Sequence, residues 1–133
     1  MVSAYITLSI RTNAHNELKD ITHLIQQEIN NRRISEGLCV VYVPHTTAGV
    51  TINENADPDV KTDIINTLRK IVPHNLPYRH IEGNSPGHVK ASLLGSSVTV
   101  PVRGGALALG TWQGIFFAEF DGPRSRKVDI YFY

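Results

Sequence analysis

The chain has 133 residues, enough for one compact domain and too few for two ordinary ones. Its 41% hydrophobic and 19% charged residues are a globular composition and exclude general disorder. A formal net charge of +1 excludes a global field that would recruit nucleic acid or an anionic membrane, and leaves only a local basic cluster for such partners.

Met1 to Ile10 has no basic segment followed by a long apolar one, so no signal peptide is expected. Nowhere does an apolar stretch approach the ~20 residues of a membrane helix. Tyr5 to Ile10 alternates, with Ile6, Leu8 and Ile10 on one face, and predicts a half-buried strand. Thr12 or Asn13 is placed to cap a helix from about His15 to Arg32, whose apolar stripe is Leu18, Ile21, Leu24, Ile25 and Ile29. Gly37 to Val43 reads as a strand ended by Pro44, and its Cys39, the single cysteine, cannot form an intrachain disulfide. That fits a reducing compartment and a cytoplasmic location. Thr47 to Glu54 is a second strand. Asp57 and Pro58 then open a helix whose stripe is Val60, Ile64, Ile65, Leu68 and Ile71. Residues 74–87 are polar and rich in Pro, Gly and Asn, as in an irregular loop. A short helix follows from about Pro86 to Leu94. The rest gives short β segments: Ser97 to Val102, Ala106 to Leu109, Ile115 to Phe120 and Lys127 to Tyr133. The pattern predicts a single α+β domain with about three helices and a largely antiparallel sheet.

The six histidines are not equivalent. His15, His23 and His74 read as surface, boundary or loop residues. His45 ends an apolar run, His80 lies in a polar loop, and His88 opens the short helix. Gly83, Asn84, Pro86 and Gly87 let the backbone between His80 and His88 fold back, so those two rings can converge. Three imidazoles with one open position form the usual catalytic zinc arrangement, and neutral histidine is also the common general base near pH 7. The spacing is neither H-E-x-x-H nor paired with C-x-x-C, and three unrelated polar residues remain the plain alternative.

Other positions carry a functional and a plain reading side by side. Glu54 falls on the face of Ile52 if the strand continues, where a carboxylate becomes a general acid or base; otherwise it is solvated. Asn53 and Asn55 either brace the turn or orient a ligand. Asp57 is a helix cap. The start of the short helix, with Lys90 and Ser92 on it, can hold an anion, or Ser92 can satisfy its own helix. Gln113 follows Trp112 in a glycine-flanked turn that either walls a pocket or packs. Arg124, Arg126 and Lys127 can grip phosphate or form a solvated rim.

Three ordered stretches carry a resemblance: "HTTAGVTINENADPDVKTDI", "YRHIEGNSPGHVKASLLGSS" and "LGTWQGIFFAEFDGPRSRK". They resemble the signatures of the YjbQ family over nearly the whole chain. His45 matches its H-T-[ST]-A motif; Asn53, Glu54, Asn55, Asp57 and Pro58 match N-E-N-x-D-P. His80 and His88 match the histidines around its central loop, Ser92 and Gly95 match K-x-S-x-x-G, and Thr111 to Gly114 match T-W-Q-G. One departure follows the Trp turn. Relatives there are often basic and carry a histidine, whereas this chain has Ala118 to Gly122 before Arg124.

The resemblance implies an α+β fold, a homotrimer, a pocket between subunits that gathers His45, His80 and His88, and secondary thiamine-phosphate synthase activity. The expected function is a small metal-dependent enzyme acting on a small anionic, phosphorylated molecule, either a synthase-like transferase or a metal-assisted hydrolase. His45, His80 and His88 would hold a divalent metal, zinc by donor type. His45, Glu54 and Gln113 form the catalytic set, and Asn53, Lys90, Ser92 and Arg124 the phosphate-binding set. The alternative is a metal- or ligand-binding module without turnover. Nucleic acid is disfavoured by the charge balance.

Overall fold

Alternation decides the first element of the computed structural model, which describes residues 4–133; Met1 to Ser3, the start of the segment read for a leader, lie outside them. Strand β1 (Ala4–Arg11) turns Ala4, Ile6, Leu8 and Ile10 toward the core and leaves Tyr5 exposed. The next segment departs from the single helix predicted over 15–32. It divides into β2 (Glu17–Asp20) and α1 (Thr22–Arg32). Leu18 is buried because β2 pairs with a later strand, not because it lies on a helix face. Asp20 fixes the break: its Oδ1 accepts the Thr22 N–H at 2.9 Å and the Thr22 hydroxyl at 2.6 Å. Thr12, one of the two expected caps, is buried and bonds to residues 107 and 112 positions away. Strand pairing has overridden local helical periodicity here.

The remaining elements are β3 (Gly37–Tyr42), β4 (Ala48–Glu54), α2 (Pro58–Ile71), α3 (Ser85–Leu94), β5 (Ser97–Arg103), β6 (Ala106–Leu107), β7 (Gln113–Glu119) and β8 (Ser125–Phe132). Helix α2 starts as its sequence predicts: Asp57 Oδ1 accepts the Asp59 N–H at 2.9 Å, and Pro58 opens the helix. Its stripe is only partly covered, since Ile64, Ile65 and Leu68 pack inward while Ile71 is 62% exposed.

The strands form a five-stranded sheet, β1-β8-β3-β5-β6, and a three-stranded sheet, β2-β7-β4, and every described pair is antiparallel. The main core joins both sheets with Ile21, Ile25 and Ile29 from α1 and the residue before it. Strand β7 is buried on both faces. Ile115 and Phe117 enter the main core, while Phe116, Ala118 and the following Phe120 pack with residues of α2 and α3. Each such aromatic stabilises the fold by roughly 1.5–3 kcal/mol relative to an exposed position. Cys39 is part of this core, and burial pushes its thiol pKa up to about 12, so it packs as an inert apolar residue. Among the described residues no helix is long and apolar enough to cross a membrane.

Candidate functional site

One end of the core is closed by charge. Alternation along β8 sends Phe132, Ile130 and Val128 inward, and Arg126 is the next inward position. The same pattern on β7 follows Ile115 and Phe117 with Glu119. The two meet. Arg126 Nε donates to Glu119 Oε1 at 2.8 Å, and Arg126 Nη2 donates both to Glu119 Oε2 and to Thr47 Oγ1, the latter at 2.8 Å. Thr12 Oγ1 and the Asp121 N–H complete the carboxylate, at 2.8 and 2.9 Å. Glu119 is 0% and Arg126 4% exposed. Burial alone would raise the Glu119 pKa, but the bonds from Arg126, Asp121 and Thr12 outweigh it and hold the carboxyl below its usual range.

Outside this plug lies a cleft of about 860 Å3. Its first wall is the chain between β3 and β4. His45 is half-buried there, edge-on to Phe117 at 6.5 Å between ring centres. Its Nε2 accepts the Lys127 backbone N–H at 2.9 Å. Burial, then the nearby Arg126 charge, push its pKa below the usual 6.5. A neutral imidazole whose Nε2 accepts a hydrogen bond carries its proton on Nδ1.

The second wall is α3. Gly87 lets this helix approach: a Cβ there would lie 2.9 Å from the Phe120 carbonyl oxygen and 3.5 Å from Thr47 Cβ. That contact sets His88 in the cleft, and the preceding loop returns His80 to it. The His80 and His88 rings stand 5.2 Å apart at 89°. The third wall is the turn after β7. Arg124 Nη2 pairs with Asp121 Oδ2 at 3.1 Å, its Nε donates to the Asp121 carbonyl at 2.8 Å, and Asn84 Nδ2 donates to the same Asp121 Oδ2 at 3.0 Å.

The cleft therefore gathers His45, His80, His88 and Arg124 from the expected set. Other members lie elsewhere. Glu54, half-buried, and Gln113 are partners at the far end of β4 and β7, roughly 20 Å along the strand from the cleft end at about 3.3 Å per residue. Within one chain they do not reach His45. Asn53 is exposed and its Oδ1 accepts the Glu54 N–H at 2.7 Å, the turn-bracing role. Asn55 donates to Asp20 and lines a separate recess of about 580 Å3 with His23.

Lys90 is buried beside Phe120, and its Nζ donates to Asn16 Oδ1 at 2.8 Å. Burial, then the charge of Arg69, lower its pKa. It faces away from the cleft, into a small recess with His15 and His74. Ser92 donates to the His88 carbonyl at 2.9 Å and so satisfies its own helix, although it borders a shallow recess shared with His45 and His88.

The residues fit a metal only in part. His80 and His88 offer two imidazoles, but the Nε2 lone pair of His45 is committed to Lys127. Among the described residues no three His, Cys, Asp or Glu side chains are placed to hold an ion. The three-imidazole centre expected from the sequence does not form in one chain in this arrangement.

Sequence reasoning missed Glu119, Asp121 and Asn84 as site residues and left Arg126 open between a phosphate grip and a solvated rim. A signal existed for one of them: a glutamate inside the apolar run Ile115 to Phe120 demands a buried partner.

The fold and site define a small two-sheet α+β protein with a histidine-lined, arginine-bearing cleft at the closed end of its core. The chain belongs to the family described as "UPF0047 protein YjbQ-like", whose model matches residues 6–133. It is 57% identical over 121 residues to the UPF0047 protein MJ1081 of Methanocaldococcus jannaschii, covering 91% of this chain and 88% of that protein. It is 50% identical to YugU of Bacillus subtilis, covering 93% and 95%. The crystal structure of a YjbQ/UPF0047 family protein from Clostridium acetobutylicum superposes with a TM-score of 0.94 at 51% identity, covering 96% of this chain and 99% of that one. A hypothetical protein from Aeropyrum pernix gives 0.93 at 36% identity, covering 98% of both.

Proposed function

We propose that the cleft binds a small anionic, phosphorylated molecule and that the protein is an enzyme acting on it. One observation carries the reading: three imidazoles and two guanidiniums line one cleft, and of the carboxylates beside them Glu119 and Asp121 are already hydrogen-bonded, while Glu82 is exposed and lies 3.9 Å from His80 Nε2. Glu119 accepts from Thr12, Asp121 and Arg126, and Asp121 accepts from Asn84 and Arg124. The Nη1 groups of Arg124 and Arg126 make no bond among the described residues, so donors are left over for a ligand. Arginine donors recognise phosphate, and His45, neutral with a proton on Nδ1, adds another. His80 and His88 are the acid/base pair.

Two reactions suit this set. One is hydrolysis. The other is a thiamine-phosphate synthase-like transfer, joining a thiazole phosphate to a pyrimidine carrier with displacement of pyrophosphate. Both develop charge on a departing group that fixed donors stabilise. The divalent metal implied by resemblance enters no step, because His45 has no lone pair to give it as held here. The homotrimer belongs to the same reading: Trp112 at 63% and Ile81 at 97% exposure are apolar surface that another copy would cover, and only another copy could bring Glu54 and Gln113 to this cleft. Lone, buried Cys39 supports a cytoplasmic setting.

Turnover of a panel of phosphomonoesters and pyrophosphate esters tests the proposal. His88→Ala should lower turnover by about 10²-fold or more with little change in affinity. Full turnover in that variant would reject catalysis by this pair; binding without any turnover would leave a ligand-binding module.

A further inference from the structure

Asn84 sits immediately before α3, where an asparagine ordinarily turns its side-chain oxygen onto a free N–H of the first turn. Here it makes no such bond. Pro86 has no N–H to offer, and the Gly87 N–H goes to the Asn84 main-chain oxygen at 2.9 Å. The side chain is held by Asp121 instead, through Nδ2 at 3.0 Å. This fixes which way the amide faces. A carboxylate oxygen paired with Arg124 only accepts, so the nitrogen must lie toward Asp121 and the oxygen away from it. That oxygen, Asn84 Oδ1, is the one buried side-chain polar atom without a hydrogen-bond partner among the described residues. Asn84 lines the cleft. A buried acceptor left unpaired is costly, and native proteins keep few without a reason.

We propose that Asn84 is a specificity-determining residue of this cleft. Its Oδ1 accepts a hydrogen bond from a hydroxyl or amino group of the ligand, while the arginine and histidine donors hold the phosphate. The ligand class is therefore a phosphomonoester bearing a nearby hydroxyl or amine, and a phosphate on a bare alkyl group is discriminated against. The assignment rests on the anion-binding reading of the cleft. A site built to pair with a ligand O–H or N–H rejects the analogue lacking it, because its own polar group then stays buried and unpaired.

Calorimetric titration of the full chain with ethyl phosphate, 2-hydroxyethyl phosphate and 2-aminoethyl phosphate tests this. Both donor-bearing esters should bind at least tenfold tighter than ethyl phosphate. In Asn84→Leu, similar in shape but without the acceptor, that preference should vanish, whatever the accompanying change in ethyl phosphate affinity. Equal binding of all three by the unsubstituted protein overturns the role of Asn84 and leaves the anion site standing. Binding of none overturns both. A preference that survives Asn84→Leu assigns the contact to another residue. Equal binding in the unsubstituted protein overturns the role even if Asn84→Leu does not fold, and in that case Asn84→Ser takes its place in the comparison.

Discussion

The Nε2 of His45 accepts the backbone N–H of Lys127 at 2.9 Å, so a strand of the larger sheet fixes the orientation of a ring in the cleft. This answers why the chain carries a titratable ring just past the end of β3. A long-range proton–nitrogen correlation spectrum should show His45 protonated on Nδ1 at neutral pH, with a titration midpoint below 6.5. An Nε2-protonated ring would show that the Lys127 contact is absent in solution.

Arg126 and Glu119 form a buried ion pair, and such pairs are far more costly to halve than to replace. Glu119→Ala should destabilise the protein by about 3–5 kcal/mol in urea unfolding. Replacing both, Glu119→Leu with Arg126→Met, should recover most of that stability while weakening phosphate binding about tenfold, since the cleft loses a charged donor. A double variant as unstable as the single would contradict the pairing.

Acid should weaken the fold in two windows. Glu119 and Asp20 are held below their usual carboxyl ranges by hydrogen bonds that outweigh burial. The unfolded chain therefore binds protons first, and their stabilisation, present above about pH 4.5, is lost as pH falls through the depressed native values. His45 acts in the same direction higher up. Its native pKa lies below 6.5, so protonation of the unfolded chain draws the equilibrium toward unfolding as pH drops through 6.5. The thermal midpoint should decline below both points, and His45→Gln should remove the upper step alone. A midpoint unchanged from pH 7 to about pH 5 would contradict the His45 assignment, and one unchanged from there to about pH 2 would contradict the carboxylate assignments.

Arg124 is half-exposed on the cleft with Nη1 unbonded among the described residues, whereas Lys90 is bonded to Asn16 and Ser92 to the His88 carbonyl. Arg124→Gln should weaken phosphomonoester binding about tenfold, the loss of one charge-assisted bond. Ser92→Ala and Lys90→Met should leave affinity within about twofold, provided thermal melts show both folded. Equal losses from all three would restore the helix face to the site.

Much of this architecture was legible, for reasons specific to each segment. The alternation of Ile6, Leu8 and Ile10 and the Asp57-Pro58 cap are local signals, and β1 and α2 follow them. The glycines and prolines between His80 and His88 permitted the fold-back that brings those rings to 5.2 Å. Segment 15–32 misled because Leu18 happens to lie at helical spacing from Ile21 and Ile25. Its partner, Ala118, lies 100 residues on, where no local pattern reaches. Lys90 and Ser92 were drawn to the site by their place after His88, but a helix turns successive side chains about 100° apart, and these found other partners. Asn84, Asp121 and Glu119 matter through one another; the apolar run around Glu119 signals a buried partner, but which residues pair across 37 or 107 positions leaves no mark on a single sequence.

Titration of 2-hydroxyethyl phosphate, followed through the ring signals of His45, His80 and His88 and the Nε signal of Arg124, bears most directly on the cleft. All four should shift and saturate together with a single dissociation constant. Absence of any saturable shift, or shifts confined to His23 and Asn55 in the other recess, would contradict the anion site.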